Sequence, residues 1–352
     1  MSPPIHQYIH RETSQLRTER IYADWLIRFL YSRARENPSF LFQALTSRRM
    51  SSLLGFLNFD LPLVPRIAGL KRFVRKMGID LSECLDSPES LQTFRKVFER
   101  KIRYWETRPM PTEEEMIVAP SDSKVLLGSF RQSSALFLKE KFFRFEELLG
   151  EDKPAWLRAF HEGDFAIFRL TPDKYHYNHT PVAGKVVDFY EVPGVYHSCN
   201  PGAVICVPHP YSKNMRVVTV FQTDTEGGTG AGLVAMVEVV ALMIGEIVQA
   251  YSEERYEDPR PLSRGMFVRR GKPKSLFRPG SSTVILIFQG GRAEFCSDLA
   301  VHQRSPRARS RFITEENIPL VETEVKVGSP IARAEGKKLE RRCLDDGCPL
   351  CP

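Results

Sequence analysis

No run in this 352-residue sequence is long and apolar enough to suggest a bilayer-spanning helix, which takes about 18 or more such residues. The longest candidate, Gly232 to Ala250, is interrupted by Glu238, Gly245 and Glu246. The stretch Met1 to Gln15 is polar and carries no apolar signal core. Zinc-finger and RNA-binding signatures are missing, which leaves nucleic acid without a recognition motif. There is no internal repeat, and no Gly-x-Ser-x-Gly elbow surrounds Ser281 or Ser282, which weakens a serine-hydrolase reading. Cysteine is sparse and odd in number. Seven residues, four of them scattered at 84, 199, 206 and 296, build no disulfide scaffold and fit a reducing compartment.

What is present is an ordinary globular composition, 42% hydrophobic and 26% charged, enough for one large domain or two smaller ones. The formal net charge of +7 favours anionic partners, a lipid surface or nucleic acid, and only the first is left without a missing motif.

Apolar periodicity predicts helices over residues 12–50, with Ile21, Tyr22, Trp25, Leu26, Phe29 and Leu30 on one face, and again over 53–63. Ile67, Leu70, Phe73, Val74 and Met77 recur helically among Arg66, Lys71, Arg72, Arg75 and Lys76. Such a basic amphipathic helix either lies in a lipid interface or packs on the core with its charges in water. Residues 87–109 continue helically until Arg108-Pro109 and Pro111. The helical N-terminal region is therefore set at 1–112.

From Ile117 on, short apolar runs alternate with turn residues at 125–127, 165–170, 182–190, 203–207, 216–222, 233–247 and 284–288, with one helical interlude over 134–149. The predicted class is α+β, with a β-rich domain over 113–330. A tail over 331–352 is expected to be flexible. Its Cys343, Cys348 and Cys351 offer only three local ligands, and a reduced tail is favoured over a metal site.

Three turns carry the residue types of a charge-relay set. Phe277-Arg278-Pro279-Gly280-Ser281-Ser282-Thr283 places two serines at a Pro-Gly break before the apolar run Val284 to Phe288. Phe168-Arg169-Leu170-Thr171-Pro172-Asp173-Lys174-Tyr175-His176-Tyr177-Asn178-His179 holds two of the eight histidines. Pro120-Ser121-Asp122-Ser123-Lys124 puts a carboxylate at a turn ahead of a short strand. Any one of these also reads as an ordinary hairpin entry, and a chain of this length holds many such triples.

The wording of the three segments, in this order, resembles phosphatidylserine decarboxylase proenzymes, the pyruvoyl-dependent family, over about residues 12 to 300. That resemblance implies a proenzyme that cuts itself near 280–282 into α and β chains. A serine attacks the preceding carbonyl, acyl transfer and elimination follow, and the new N-terminus becomes a covalent pyruvoyl group. Decarboxylation leaves a carbanion that needs such a carbonyl sink. The implied activity converts phosphatidylserine to phosphatidylethanolamine and CO2 through a pyruvoyl Schiff base, in phospholipid biosynthesis. The implied roles fall on Ser282, or Ser281, as pyruvoyl precursor, on His179 as base, on Asp122 as its orienting carboxylate and on His176 in proton transfer. Gly280 supplies the permissive turn. Arg169, Asn214 and Arg216 are candidate contacts to phosphate or carboxylate, or plain structural charges. The implied partners are phosphatidylserine and a membrane surface, met peripherally from the cytoplasmic side, with homo-oligomerisation open and nucleic acid excluded. The sequence departs from the family wording at Ser281 and Ser123, where glycine is usual, and over Glu238-Val239-Val240-Ala241. Two other readings stay open: a pyruvoyl decarboxylase of a soluble amino acid, and a non-processing lipid-binding scaffold.

Overall fold

A computed structural model of the chain describes residues 5–21, 66–131, 142–197, 201–204, 210–241, 246–279, 282–314 and 318–336. Its strands are β1 (Gln7–His10), β2 (Gln15–Thr18), β3 (Met116–Val118), β4 (Ser123–Ser129), β5 (Asp164–Leu170), β6 (Tyr177–His179), β7 (Gly184–Val192) and β8 (Arg216–Gln222). They continue as β9 (Leu233–Val239), β10 (Ile247–Gln249), β11 (Phe267–Val268), β12 (Pro273–Phe277), β13 (Ser282–Phe288), β14 (Ala293–Phe295), β15 (Glu322–Val325) and β16 (Pro330–Ala334). The class is α+β, with strand dominating.

Ten strands form one sheet in the order β11-β7-β8-β9-β13-β5-β4-β15-β1-β2, and two three-stranded sheets, β10-β12-β6 and β14-β16-β3, complete the frame. At the centre, β13 is buried along its whole length between β9 and β5. Coverage on both faces explains why its sequence is a continuous apolar run rather than an alternating one. Its register sets Ser282 opposite Leu170 and Thr283 opposite Arg169.

Several expectations meet a different structure. Residues 15–18, predicted helical, form β2, and with β1 they add a hairpin to the sheet edge. β1 pairs in parallel with β15, more than 300 residues away, a partner that local periodicity cannot reveal. Residues 22–65, with the rest of the predicted N-terminal helices, lie outside the described residues. Among the described residues α1 spans Arg66–Met77, whereas the segment 87–109 holds only the short helices α2 (Phe94–Phe98) and α3 (Tyr104–Thr107). An isolated bridge between Cys84 and Ile102 ties this segment down. The strand expected over 203–207 is instead a turn of helix at Pro201–Val204, with proline at its start, and 205–209 lie outside the described residues. The run 233–247 divides into β9 and β10, which belong to different sheets. Of the interlude over 134–149, the described part is helical at Phe145–Leu149. The β-rich region runs past 330, because β16 continues to Ala334; the three tail cysteines lie outside the described residues.

α1 resolves the choice left open for the basic helix. Its Leu70 is buried with Ile79, Cys84, Leu91 and Val97, and Phe73, Val74 and Met77 pack on the same cluster. The apolar stripe therefore covers protein, while Lys71, Arg72, Arg75 and Lys76 face outward. Arg75 and Lys76 sit in the last turn, where cations complement the helix dipole.

The hairpin is fixed to the sheet by buried charge. The Arg169 guanidinium donates to Glu322 (Nε–Oε1 2.9 Å) and to Glu19 (Nη1–Oε1 2.9 Å, Nη2–Oε2 2.6 Å). His6 Nε2 donates to Glu322 Oε2 at 2.9 Å, and Lys124 lies 3.3 Å from Glu19. His6 had no context in the sequence, yet it is fully buried here. His6, Glu19 and Glu322 converge closely enough for a metal, but their oxygens are taken by Arg169 and Lys124, which makes the cluster an ion-pair network. Burial pushes the Glu19 and Glu322 carboxyls up, and Arg169 outweighs it and holds both below the ordinary range. Groups depressed in this way stabilise the fold above the unfolded carboxylate pKa of about 4.3, and that contribution is lost as pH falls. Arg169→Ala would strand two buried carboxylates and should destabilise the protein by about 3–5 kcal/mol in denaturant titrations at neutral pH. An unchanged unfolding midpoint would contradict this assignment.

Candidate active site

The three motifs meet through backbone hydrogen bonds. The His179 amide, at the end of β6, donates to the Pro120 carbonyl in the Asp122 turn at 2.7 Å. Val118 N–H donates to the Pro181 carbonyl at 3.0 Å. β5, which opens the histidine segment, carries Leu170 opposite Ser282 at the head of β13. Sheet pairing thus brings together segments separated by more than 150 residues.

Ser282 is fully buried, and its Oγ has no hydrogen-bond partner among the described residues. A buried hydroxyl left unpaired costs free energy and calls for a reason. Gly280 and Ser281 lie outside the described residues. Ser123, one of the departures from the family wording, donates its hydroxyl to the Ser121 carbonyl at 3.0 Å, so the turn accommodates it.

His179 is fully buried. Its Nδ1 lies 2.9 Å from the Gly271 carbonyl and its Nε2 2.9 Å from the Tyr175 hydroxyl. A carbonyl only accepts, so Nδ1 carries the proton and the neutral ring keeps its lone pair on Nε2. Gly271 has φ +77°, a left-handed backbone that glycine adopts freely, and a Cβ there would lie 2.6 Å from Met110 Sδ. Burial pushes the imidazole down to about 4; the Gly271 bond and the Asp122 charge act upward, Arg108 and Lys272 downward.

Among the described residues no hydrogen bond joins Asp122 directly to His179. Among these residues the partners of Asp122 are Arg108 (Nε–Oδ1 3.0 Å, Nη2–Oδ2 2.6 Å) and the Val327 amide (2.9 Å). Burial raises its pKa, but the Arg108 charge and hydrogen bonds outweigh this and hold it below the ordinary value. Arg108 also grips Glu83, at 2.8 Å. A guanidinium fork meets a carboxylate in two parallel bonds, which leaves Asp122 to act on His179 through its field. The sequence offered Arg108 only as a helix end.

His176 is buried against the Phe98 ring, 4.8 Å between centroids, with Nδ1 2.8 Å from the Lys174 carbonyl. Glu238, another departure, is also buried. It pairs with Lys274 (Nζ–Oε2 2.5 Å), accepts from Asn178 (3.0 Å) and takes the Ser275 hydroxyl, which binds the histidine strand and β12 to β9. Burial pushes Lys274 down, partly offset by Glu238. No residue spacing in the sequence signalled this pair.

Arg169, Asn214 and Arg216 are structural rather than ligand-facing. Arg169 is spent on Glu19 and Glu322. Arg216 donates to the Leu148, Ser212 and Asn214 carbonyls, and Asn214 bridges His197 and Val240.

Fold and site together define an α+β protein with a buried serine and an arginine-held aspartate at one end of its main sheet and a buried histidine on the neighbouring three-stranded sheet. Known sequences narrow this. The profile of the phosphatidylserine decarboxylase family matches residues 94–314. The chain is 29% identical over 300 residues to the phosphatidylserine decarboxylase proenzyme of Ruminiclostridium cellulolyticum, covering 85% of this chain and 92% of that one. It is 30% identical over 293 residues to the Chlamydia trachomatis proenzyme, covering 83% and 90%. It is 34% identical over 230 residues to phosphatidylserine decarboxylase proenzyme 2 of Oryza sativa subsp. japonica, covering 64% of this chain and 34% of that one. This chain belongs to the phosphatidylserine decarboxylase family.

The protonation state of His179 is open to direct measurement. Its ring should stay neutral at physiological pH and protonate only near pH 4 in an NMR titration. A midpoint at the ordinary value of about 6.5 would contradict the buried, Nδ1-protonated geometry.

Proposed function

We propose that this chain is a phosphatidylserine decarboxylase made as a self-cleaving proenzyme, with Ser282 as the residue converted to pyruvoyl. The observation that carries the choice of Ser282 is its buried hydroxyl, unpartnered among the described residues, at the first position of β13. A hydroxyl that a hydrogen bond does not occupy is available to attack the Ser281 carbonyl, and Ser281 remains the alternative nucleophile. His179 is the base for the hydroxyl proton. Its low pKa keeps it unprotonated at neutral pH, the state that base chemistry requires. Asp122 lies near enough to favour the imidazolium electrostatically, and Arg108 keeps the carboxylate ionised.

A pyruvoyl group formed at residue 282 supplies a carbonyl electron sink for decarboxylation. The burial of Ser282 fits such a group, which needs a water-poor setting. His176, packed on Phe98, is the second histidine in reach of this segment and is assigned to proton transfer in the later stage.

No helix among the described residues is long and apolar enough to cross a membrane. The reading places the protein on the cytoplasmic face of a membrane that presents phosphatidylserine, and the outward basic face of α1 supports it electrostatically. The α and β chains would stay together after the cut, because β13 and β15 from the C-terminal side each lie between strands of the N-terminal side.

The test is CO2 release from phosphatidylserine vesicles, compared with free serine, before and after treatment with a carbonyl-trapping hydrazine. The reading expects lipid-dependent release abolished by the hydrazine and absent from Ser282→Ala. Release from free serine alone would transfer the activity to a soluble substrate. Full activity in Ser282→Ala would overturn the assignment of that residue.

A further inference from the structure

Two tyrosines outside any assigned role complete the surroundings of His179. Tyr175 is fully buried, and its hydroxyl lies 2.9 Å from His179 Nε2 and 2.7 Å from the Tyr256 hydroxyl. The Tyr256 hydroxyl also receives the Ile102 N–H at 3.1 Å and reaches the Ile102 carbonyl at 2.9 Å. The Tyr175 ring stacks on Tyr177 at 5.5 Å, and the Tyr104 ring meets His179 edge-on at 4.7 Å. Burial raises Tyr175 well above the ordinary phenol value and Tyr256 also upward, so both hydroxyls keep their protons.

The donor and acceptor count along this chain works in two directions. With His179 neutral, Nδ1–H donates to Gly271, and the Tyr175 O–H donates to the Nε2 lone pair. With His179 protonated, Nε2–H donates to the Tyr175 oxygen. The Tyr175 O–H then turns to the Tyr256 oxygen, and the Tyr256 O–H points to the Ile102 carbonyl. Every group stays satisfied in both states, and only O–H bonds rotate. One proton is gained, at Nε2, and none is lost. His179 and Tyr175 are fully buried and Tyr256 half-buried, so at the ring itself no solvent can make this adjustment, and a charged ring left without an acceptor would be costly.

We propose that Tyr175 and Tyr256 are positioning residues for His179, forming a two-hydroxyl chain that hydrogen-bonds both the neutral ring and the imidazolium. The proposal rests on the reading of His179 as the base in self-cleavage. It makes a signed claim. A hydrogen bond from the imidazolium is charge-assisted and roughly twice as strong as its neutral counterpart. Removing the Tyr175 hydroxyl therefore weakens the charged form more. Asp122, Arg108, Lys272, Tyr104 and the Gly271 carbonyl also face His179. They are unchanged by this substitution, so the shift reports the hydroxyl.

The experiment follows self-cleavage of the full chain against pH for wild type, Tyr175→Phe, Tyr256→Phe and His179→Ala. In parallel, His179 is titrated by NMR in an uncut Ser281→Ala, Ser282→Ala background, with and without Tyr175→Phe. Tyr175→Phe should cleave up to about tenfold more slowly at neutral pH, and the His179 midpoint should fall by up to about one unit, the tenfold in equilibrium that one bond of this class represents. Tyr256→Phe, which removes the downstream acceptor, should move both readouts in the same direction by less. A midpoint that rises would mean that Tyr175 only caps the neutral lone pair, and wild-type cleavage in both variants would remove any role; either result overturns the proposal. If Tyr175→Phe does not fold, Tyr256→Phe decides alone by the same signs. Normal cleavage in His179→Ala would instead overturn the underlying reading of the base.

Discussion

The placement of β13 governs the rest of the structure. A strand buried on both faces and paired on both edges has its register fixed by every neighbour at once. A slip by one residue would turn Ser282 to the opposite face of the sheet and set every side chain of the strand against packing shaped for its neighbour. The serine thus takes its position from the long apolar run that follows it. The same constraint bears on cleavage: a break just ahead of β13 leaves its whole ladder of hydrogen bonds intact.

Around that strand the protein buries three clusters of paired charge. Arg169 joins Glu19 and Glu322, Arg108 joins Asp122 and Glu83, and Lys274 joins Glu238. Ion pairs of this kind add little net stability over apolar packing, but they penalise any arrangement that leaves one member alone. Here they connect segments far apart in sequence: the N-terminal hairpin to β5 and β15, the Asp122 turn to the helical segment at Arg108, and β12 to β9. They fix which strand lies where, and the positions of the site residues follow from that.

Much of this was legible in the sequence, and what was not has physical causes. The apolar runs of β5, β8 and β13 announced themselves, as did the three motif turns, because those signals are local. The β1–β2 hairpin did not, since four exposed residues at a sheet edge carry no periodicity and its partner β15 lies near the other end of the chain. The amphipathic stripe of α1 was visible, but whether lipid or protein covers it depends on Leu91 and Val97, which sequence cannot place in contact. The sequence pointed to His179 but not to its hydrogen-bond partner. An aspartate near a histidine suggests a direct bond, yet Arg108 holds both carboxylate oxygens, and the histidine turns to a tyrosine four residues away. The residues around Glu238 read as a departure from the family wording, and its counter-ion, Lys274, was hidden because it comes from another strand.

The central claim is that the chain cuts itself at Ser282 and converts that residue. The most direct measurement is the mass of purified protein under denaturing conditions, read together with the N-terminal chemistry of the smaller fragment. Two fragments are expected, the first ending at Ser281 and the second beginning at residue 282 with a blocked, carbonyl-bearing terminus. A single intact 352-residue chain, unaltered by Ser281→Ala with Ser282→Ala, would contradict it.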